Sequence, residues 1–277
     1  MKKLLALVLA VVMVLAMAAC SSTNEPATEA TTEATTEATT EAATETTEAA
    51  TEASEPAAKV MSHEEYVAAD LNELVTIETY VQAHQSWWQD KITVYAQSED
   101  GAYFLYNMPC SEEDAAKLVP GTKIRVTGYK SEWSGEVELT WDETFEGPAF
   151  EILDGSFVAE AADLTDLLGS DELIAHQNEF VTVKGLTVAP AQEGSDAAFL
   201  YNWDGSGAAG SNSDLYFNVT DGTNTYTFTV ESYLCGEGTD VYTAVTELKV
   251  GDVIDLEGFL YWYNGAQMHV TNVTPAA

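Results

Sequence analysis

The chain has 277 residues, with 46 acids against 10 bases and a formal net charge of −36. The excess is not confined to one end, since residues 60–277 hold 37 acids and 7 bases. A field of that sign repels phosphate backbones and anionic lipid, so nucleic acid is set aside as a partner in favour of cations, neutral ligands or basic proteins.

In chain order, Lys2 and Lys3 come first, followed by an apolar run from Leu4 to Ala16. That run has the length of a signal-peptide core and is too short for a membrane span. It ends in Leu15-Ala16-Met17-Ala18-Ala19-Cys20. Small residues directly before a cysteine resemble the lipobox of bacterial lipoproteins, although Met17 departs from the usual Leu or Val. The resemblance implies a signal peptide over 1–19, cleavage before Cys20, and diacylglycerol on the Cys20 sulfur. The chain would then be extracytoplasmic, anchored on the cell membrane without spanning it. Ordinary secretion and an uncleaved anchor are the alternatives. Residues 20–59 are dominated by Thr, Glu and Ala, with Thr-Glu-Ala-Thr recurring. Nothing there can build a core, and the segment is expected to be a disordered, charged stalk.

Residues 60–157 read as one small β domain. Ser62-His63-Glu64-Glu65 is a capping-box pattern that predicts a short helix. Leu74 to Gln82 predicts a strand, and Ile92, Val94 and Ala96 alternate inward on a second. Glu99-Asp100-Gly101 is a hairpin turn into a third strand over 102–108. Ser111 caps a helix rich in acids at its start and ending near Leu118. A fourth strand starts after Gly121. A loop with Tyr129 and Trp133 follows, then a fifth strand with Val137, Leu139 and Trp141 inside.

Residues 158–277 repeat this order. Helical turns are expected within 159–177, and Phe180, Val181 and Val183 open strand one, with a bulge at Gly185. An insertion runs from Pro190 to Asp214. Strands two and three span 215–220 and 225–232 around Asp221-Gly222, and Thr239-Asp240 starts a helix. The internal repeat is carried by Gly121, Gly128 and Gly135, matched by Gly251, Gly258 and Gly265. Aligned on these glycines, Val137 and Leu139 fall opposite Gln267 and His269, while Met268 and Val270 read as buried. A one-residue difference in loop geometry must therefore separate the copies. Three strands, a helix and two strands is the element order of the OB-fold, which each half resembles. That resemblance implies an all-β chain of two tandem five-stranded barrels, each with a short helix. It implies ligand binding across strands two and three, and says little of what is bound.

Five of six tryptophans fall in or beside the expected binding loops. We name Trp87, Trp88, Trp133 and Tyr129 in the first half, and Tyr201, Trp203, Tyr261, Trp262 and Tyr263 in the second, as candidate ligand-binding residues. The competing reading is that they cap the barrel ends or form the contact between barrels. Cys110 and Cys235 occupy equivalent positions, and would pair only if the barrels met near that corner. The loop of Asn202, Asp204, Ser206 and Asp214 resembles calcium-loop chemistry loosely but lacks a closing Glu. The four histidines form no metal pattern, and no nucleophile elbow or phosphate loop is present. No catalytic residue, metal site or cofactor is expected. The function expected on charge is a membrane-anchored binding or adaptor module for a glycan or an envelope protein. An extracytoplasmic nucleic-acid-binding OB-fold protein and a hydrolase are the alternatives.

Overall fold

The computed structural model describes residues 59–276. The signal segment, Cys20 and nearly all of the stalk lie outside the described residues.

The first barrel opens with β1 (Val60–Met61) and α1 (His63–Ala68). The capping box forms as expected, with Glu65 N donating to Ser62 Oγ and Ser62 N donating to the Glu65 carboxylate. The barrel strands are β2 (Leu74–His84), β3 (Lys91–Ser98), β4 (Gly101–Pro109), β5 (Thr122–Trp133) and β6 (Glu136–Thr140), with α2 (Glu112–Ala115) between β4 and β5. Antiparallel pairs β2–β3, β3–β4, β5–β6 and β2–β5, with the parallel pair β4–β6, close the ring. This is the strand connectivity of an OB-fold. One more strand, β7 (Phe150–Ser156), which the sequence reading did not include, lies along β5.

The second barrel repeats the scheme. A two-residue β8 (Ala162–Asp163) runs parallel to β9 (Phe180–Ala189), as β1 does to β2. Next come β10 (Phe199–Tyr201), β11 (Leu215–Thr220), β12 (Thr225–Val230), α3 (Asp240–Glu247), β13 (Val253–Phe259) and β14 (His269–Pro275). Here β12 and β14 form the parallel pair, and β9–β11 closes the ring. The chain is thus mostly β, with two OB-fold-like barrels in tandem.

Alternation puts one face of each strand inside. Val75, Ile77, Val94, Leu105, Ile124, Val126 and Leu139 fill the first barrel. Val181, Val183, Phe217, Phe228, Leu256 and Val270 fill the second. Fully burying each such side chain is worth about 1.5–3 kcal/mol. In β3 the outward residues Thr93 and Tyr95 are buried too. Both faces of that strand are covered, because the second barrel packs on it.

Three expectations need correcting. The helix after Ser111 stops at Ala115 rather than near Leu118, as Lys117 N and Leu118 N turn back to Asp114 O and Ala115 O. The insertion 190–214 is not all loop, since β10 pairs with β11. The one-residue difference between the copies lies in the strands: the β13–β14 register shifts between Glu257 and Gly258, whereas β5–β6 keeps its register.

Candidate ligand cleft between the barrels

The barrels meet through aromatic rings and a few aimed polar groups. Tyr95 stacks on Phe259 with centroids 4.5 Å apart, and its hydroxyl lies 2.6 Å from His269 Nδ1. Phe104 meets Tyr261 edge to face at 5.3 Å. Trp262 N donates to Glu136 Oε2 at 2.8 Å. Gln177 bridges both ways, accepting from Val137 N and donating to Gly135 O.

Beside this contact opens a cleft of about 860 Å³. Strands two and three of the first barrel supply Lys91, Thr93, Phe104, Tyr106 and Asn107, with Trp88 from the preceding loop and Trp133 from the end of β5. The second barrel supplies Trp203, Tyr216, Glu231, Tyr233, Tyr261 and Tyr263. A further hollow of about 550 Å³ shares Trp203, Tyr216, Tyr263 and Gln267 with it, and continues over Asn218 and Thr225–Thr227. Together the two run from β3–β4 of one barrel to β11–β12 of the other, the strand pair on which OB barrels hold ligands.

The candidate aromatics divide. Trp88, Trp133, Trp203, Tyr261 and Tyr263 line the cleft. The three indoles are 67%, 60% and 75% exposed, so none of them is spent on a core. The other four sit elsewhere. Trp87 packs on the first core and donates from Nε1 to Cys110 O at 2.8 Å. Tyr129 faces Phe145. Tyr201 and Trp262 pack against the second core. Tyr106, Tyr216, Tyr233, Glu138, Glu231 and His269 were absent from the candidate set. Alternation in β4, β6 and β11 marks several of them as outward-facing, but only the second barrel makes that face a wall.

Cys110 and Cys235 are free thiols. Asp204 Oδ1 accepts from Ser206 N in a local turn of the 202–214 loop. Among the described residues no cluster of three or more His, Cys, Asp or Glu has the geometry to hold a metal ion.

Burial changes the charge of the cleft. It pushes the Glu138 and Glu231 carboxyls up to about 7, and that of Glu136, behind the wall, up to about 8. For Glu231 the nearby Asp214 adds to the effect. The buried His269 is held down to about 3 and is neutral. Lys91 adds a cation. The formal count of −36 therefore overstates the negative charge that a ligand meets here.

Fold and cleft define a tandem OB-fold protein with an aromatic groove shared by its barrels. No protein-family model matches the chain, and no curated protein matches its sequence. Solved structures do. The HINb domain of p204 is 13% identical with a TM-score of 0.33, covering 74% of this chain and all of that one. A murine DNA binding protein bound with double-stranded DNA is 13% identical with a TM-score of 0.31, again over 74% of this chain and all of the other. A single-stranded DNA binding protein from Thermus aquaticus is 12% identical with a TM-score of 0.24, over 73% of this chain and 91% of that one. Identities this low concern fold alone. The exclusion of nucleic acid as a partner is nevertheless corrected. It rested on whole-chain charge, which misjudges the cleft. The preference for a glycan or an envelope protein came from the same argument and goes with it.

Proposed function

We propose that this chain binds unpaired nucleic acid by stacking its bases on the aromatic side chains of the inter-barrel cleft. The observation that carries this reading is three exposed indoles, Trp88, Trp133 and Trp203, set around one groove that crosses the ligand face of both barrels. Every base has a π-face, and base–aromatic stacking is worth about 1–3 kcal/mol per base. Gln85, Asn107 and Gln267 add neutral donors and acceptors along the walls. Phosphate contacts contribute little, because the surface outside the cleft is acidic. Added salt therefore screens repulsion and strengthens binding, the reverse of the usual slope.

The test is tryptophan emission titrated with single-stranded oligonucleotides at low and high salt. Quenching that tightens with salt, and weakens about tenfold in Trp88→Ala or Trp203→Ala, is expected. No quenching at either salt, or unaltered binding in both variants, rejects the reading.

The placement of the module belongs to the same proposal. The Leu15–Cys20 sequence supports a lipid anchor outside the cytoplasm, with residues 20–59 as spacer. Cys20→Ala should move the chain from the membrane fraction to the medium.

A further inference from the structure

Glu138 and Glu231 are the two carboxyl groups on the cleft wall, one from each barrel. Glu138 lies on β6 opposite Phe104 in the parallel pair, facing away from its own barrel core, and is 6% exposed. Glu231 directly follows β12 and is half-buried. Both act on Tyr261, whose hydroxyl is held well above its ordinary range by burial and then by Glu136, Glu138 and Glu231. Among the described residues neither carboxyl has a hydrogen-bond or ion-pair partner, whereas Thr93 and His269, the other fully buried polar residues of the walls, each have one. Gln85 and His269 are both engaged with Tyr95, and Glu136 accepts from Trp262. A carboxyl set into a wall without a donor is costly, so two of them, one buried and one half-buried, facing one aromatic cleft point to donors brought by the ligand.

On the stacking reading above, the donors belong to a base. We infer that the cleft selects a guanine-type edge, in which a ring N–H and an exocyclic amino group lie side by side and satisfy both oxygens of one carboxylate. Thymine places carbonyl oxygens against the acid, and adenine and cytosine offer an amino group next to an acceptor nitrogen. Lys91 and Asn107, on the same walls, are donors suited to the guanine carbonyl.

The experiment uses the full chain and two oligo-dT hexamers, with dG or with dI at one central position. Inosine differs from guanine only in lacking the amino group. At pH 8, where both wall carboxyls are ionised, the dG hexamer is expected to bind about tenfold more tightly than the dI hexamer, the loss of one charge-assisted hydrogen bond. Glu138→Gln or Glu231→Gln should shrink that ratio, since an amide cannot accept at both atoms. Equal binding of the two hexamers overturns the inference and leaves the stacking reading intact. Absence of binding by either hexamer, and by other oligonucleotides, removes the stacking reading and the inference with it. The comparison on the unaltered chain stands whether or not the variants fold.

Discussion

The Tyr95 hydroxyl on β3 of the first barrel lies 2.6 Å from Nδ1 of His269, the first residue of β14 in the second. Gln85 Nε2 donates to the same phenol oxygen at 3.3 Å, so this one hydroxyl joins both barrels. Tyr95→Phe leaves a buried ring nitrogen without its partner, which is expected to cost about 1–3 kcal/mol. Urea unfolding followed by tryptophan emission measures the loss. A change within about 0.5 kcal/mol would mean that the pair adds nothing to cohesion.

The buried acids set an unusual pH dependence. Glu136, Glu138 and Glu231 keep protons in the folded chain that the unfolded chain gives up near 4.5, since burial raises them to about 8, 7 and 7. Their contribution is complete below about pH 4.5 and is lost as pH rises through 7 to 8, at about 1.4 kcal/mol per pH unit for each. His269, lowered from 6.5 to about 3, acts in the opposite sense, and its contribution is lost as pH falls below 6.5. Three acids outweigh one histidine. The urea midpoint should therefore fall between about pH 5 and pH 8, and Glu136→Gln should flatten that fall. A midpoint higher at pH 8 than at pH 5 contradicts this.

The twin glycines are needed for different reasons. A Cβ on Gly258 would lie 2.2 Å from His269 O, so the backbone of β14 must move. A Cβ on Gly128 would meet the Trp141 ring at 2.8 Å, and a ring can swing aside. Gly258→Ala should cost more than Gly128→Ala, with overpacking of this kind worth about 1–3 kcal/mol. Thermal midpoints of the two variants give the ranking, and the reverse order would refute it.

Burial pushes both the Cys110 and Cys235 thiols up to about 11, with Asp114 adding to the effect at Cys110. At pH 8 both are protonated, and slow labelling by a thiol reagent is expected in the folded chain, with rapid labelling of both in urea. Rapid reaction without denaturant, or no reaction in urea, would show that the thiols are exposed or paired.

Much of the fold was legible because its signals are local. The Ser62–Glu65 box, the Asp221-Gly222 turn and the glycine spacing each specify geometry within a few residues. Gly185 does so too, standing at φ +68 beside a register shift in β9–β13. The site was less legible because it depends on which face of a strand the other barrel covers. Trp87 and Trp88 are neighbours pointing to opposite sides, and nothing local decides which enters the core. Acids such as Glu136 and Glu138 usually lie at the surface, and nothing local shows that β6 lies under the second barrel. The parity of the last strand is likewise set by more than local pattern. The shift at Glu257/Gly258 turns His269 outward and Met268 and Val270 inward relative to the first copy.

The seam of Tyr95, Phe104 and Phe259 makes the duplication irreversible. A polypeptide severed after residue 157 would present bare rings and stranded carboxyls on both fragments, and these would clump or re-pair rather than work as free-standing modules. What began as two interchangeable copies has become a single indivisible body, and any relative that lost one copy would need a new covering for the survivor.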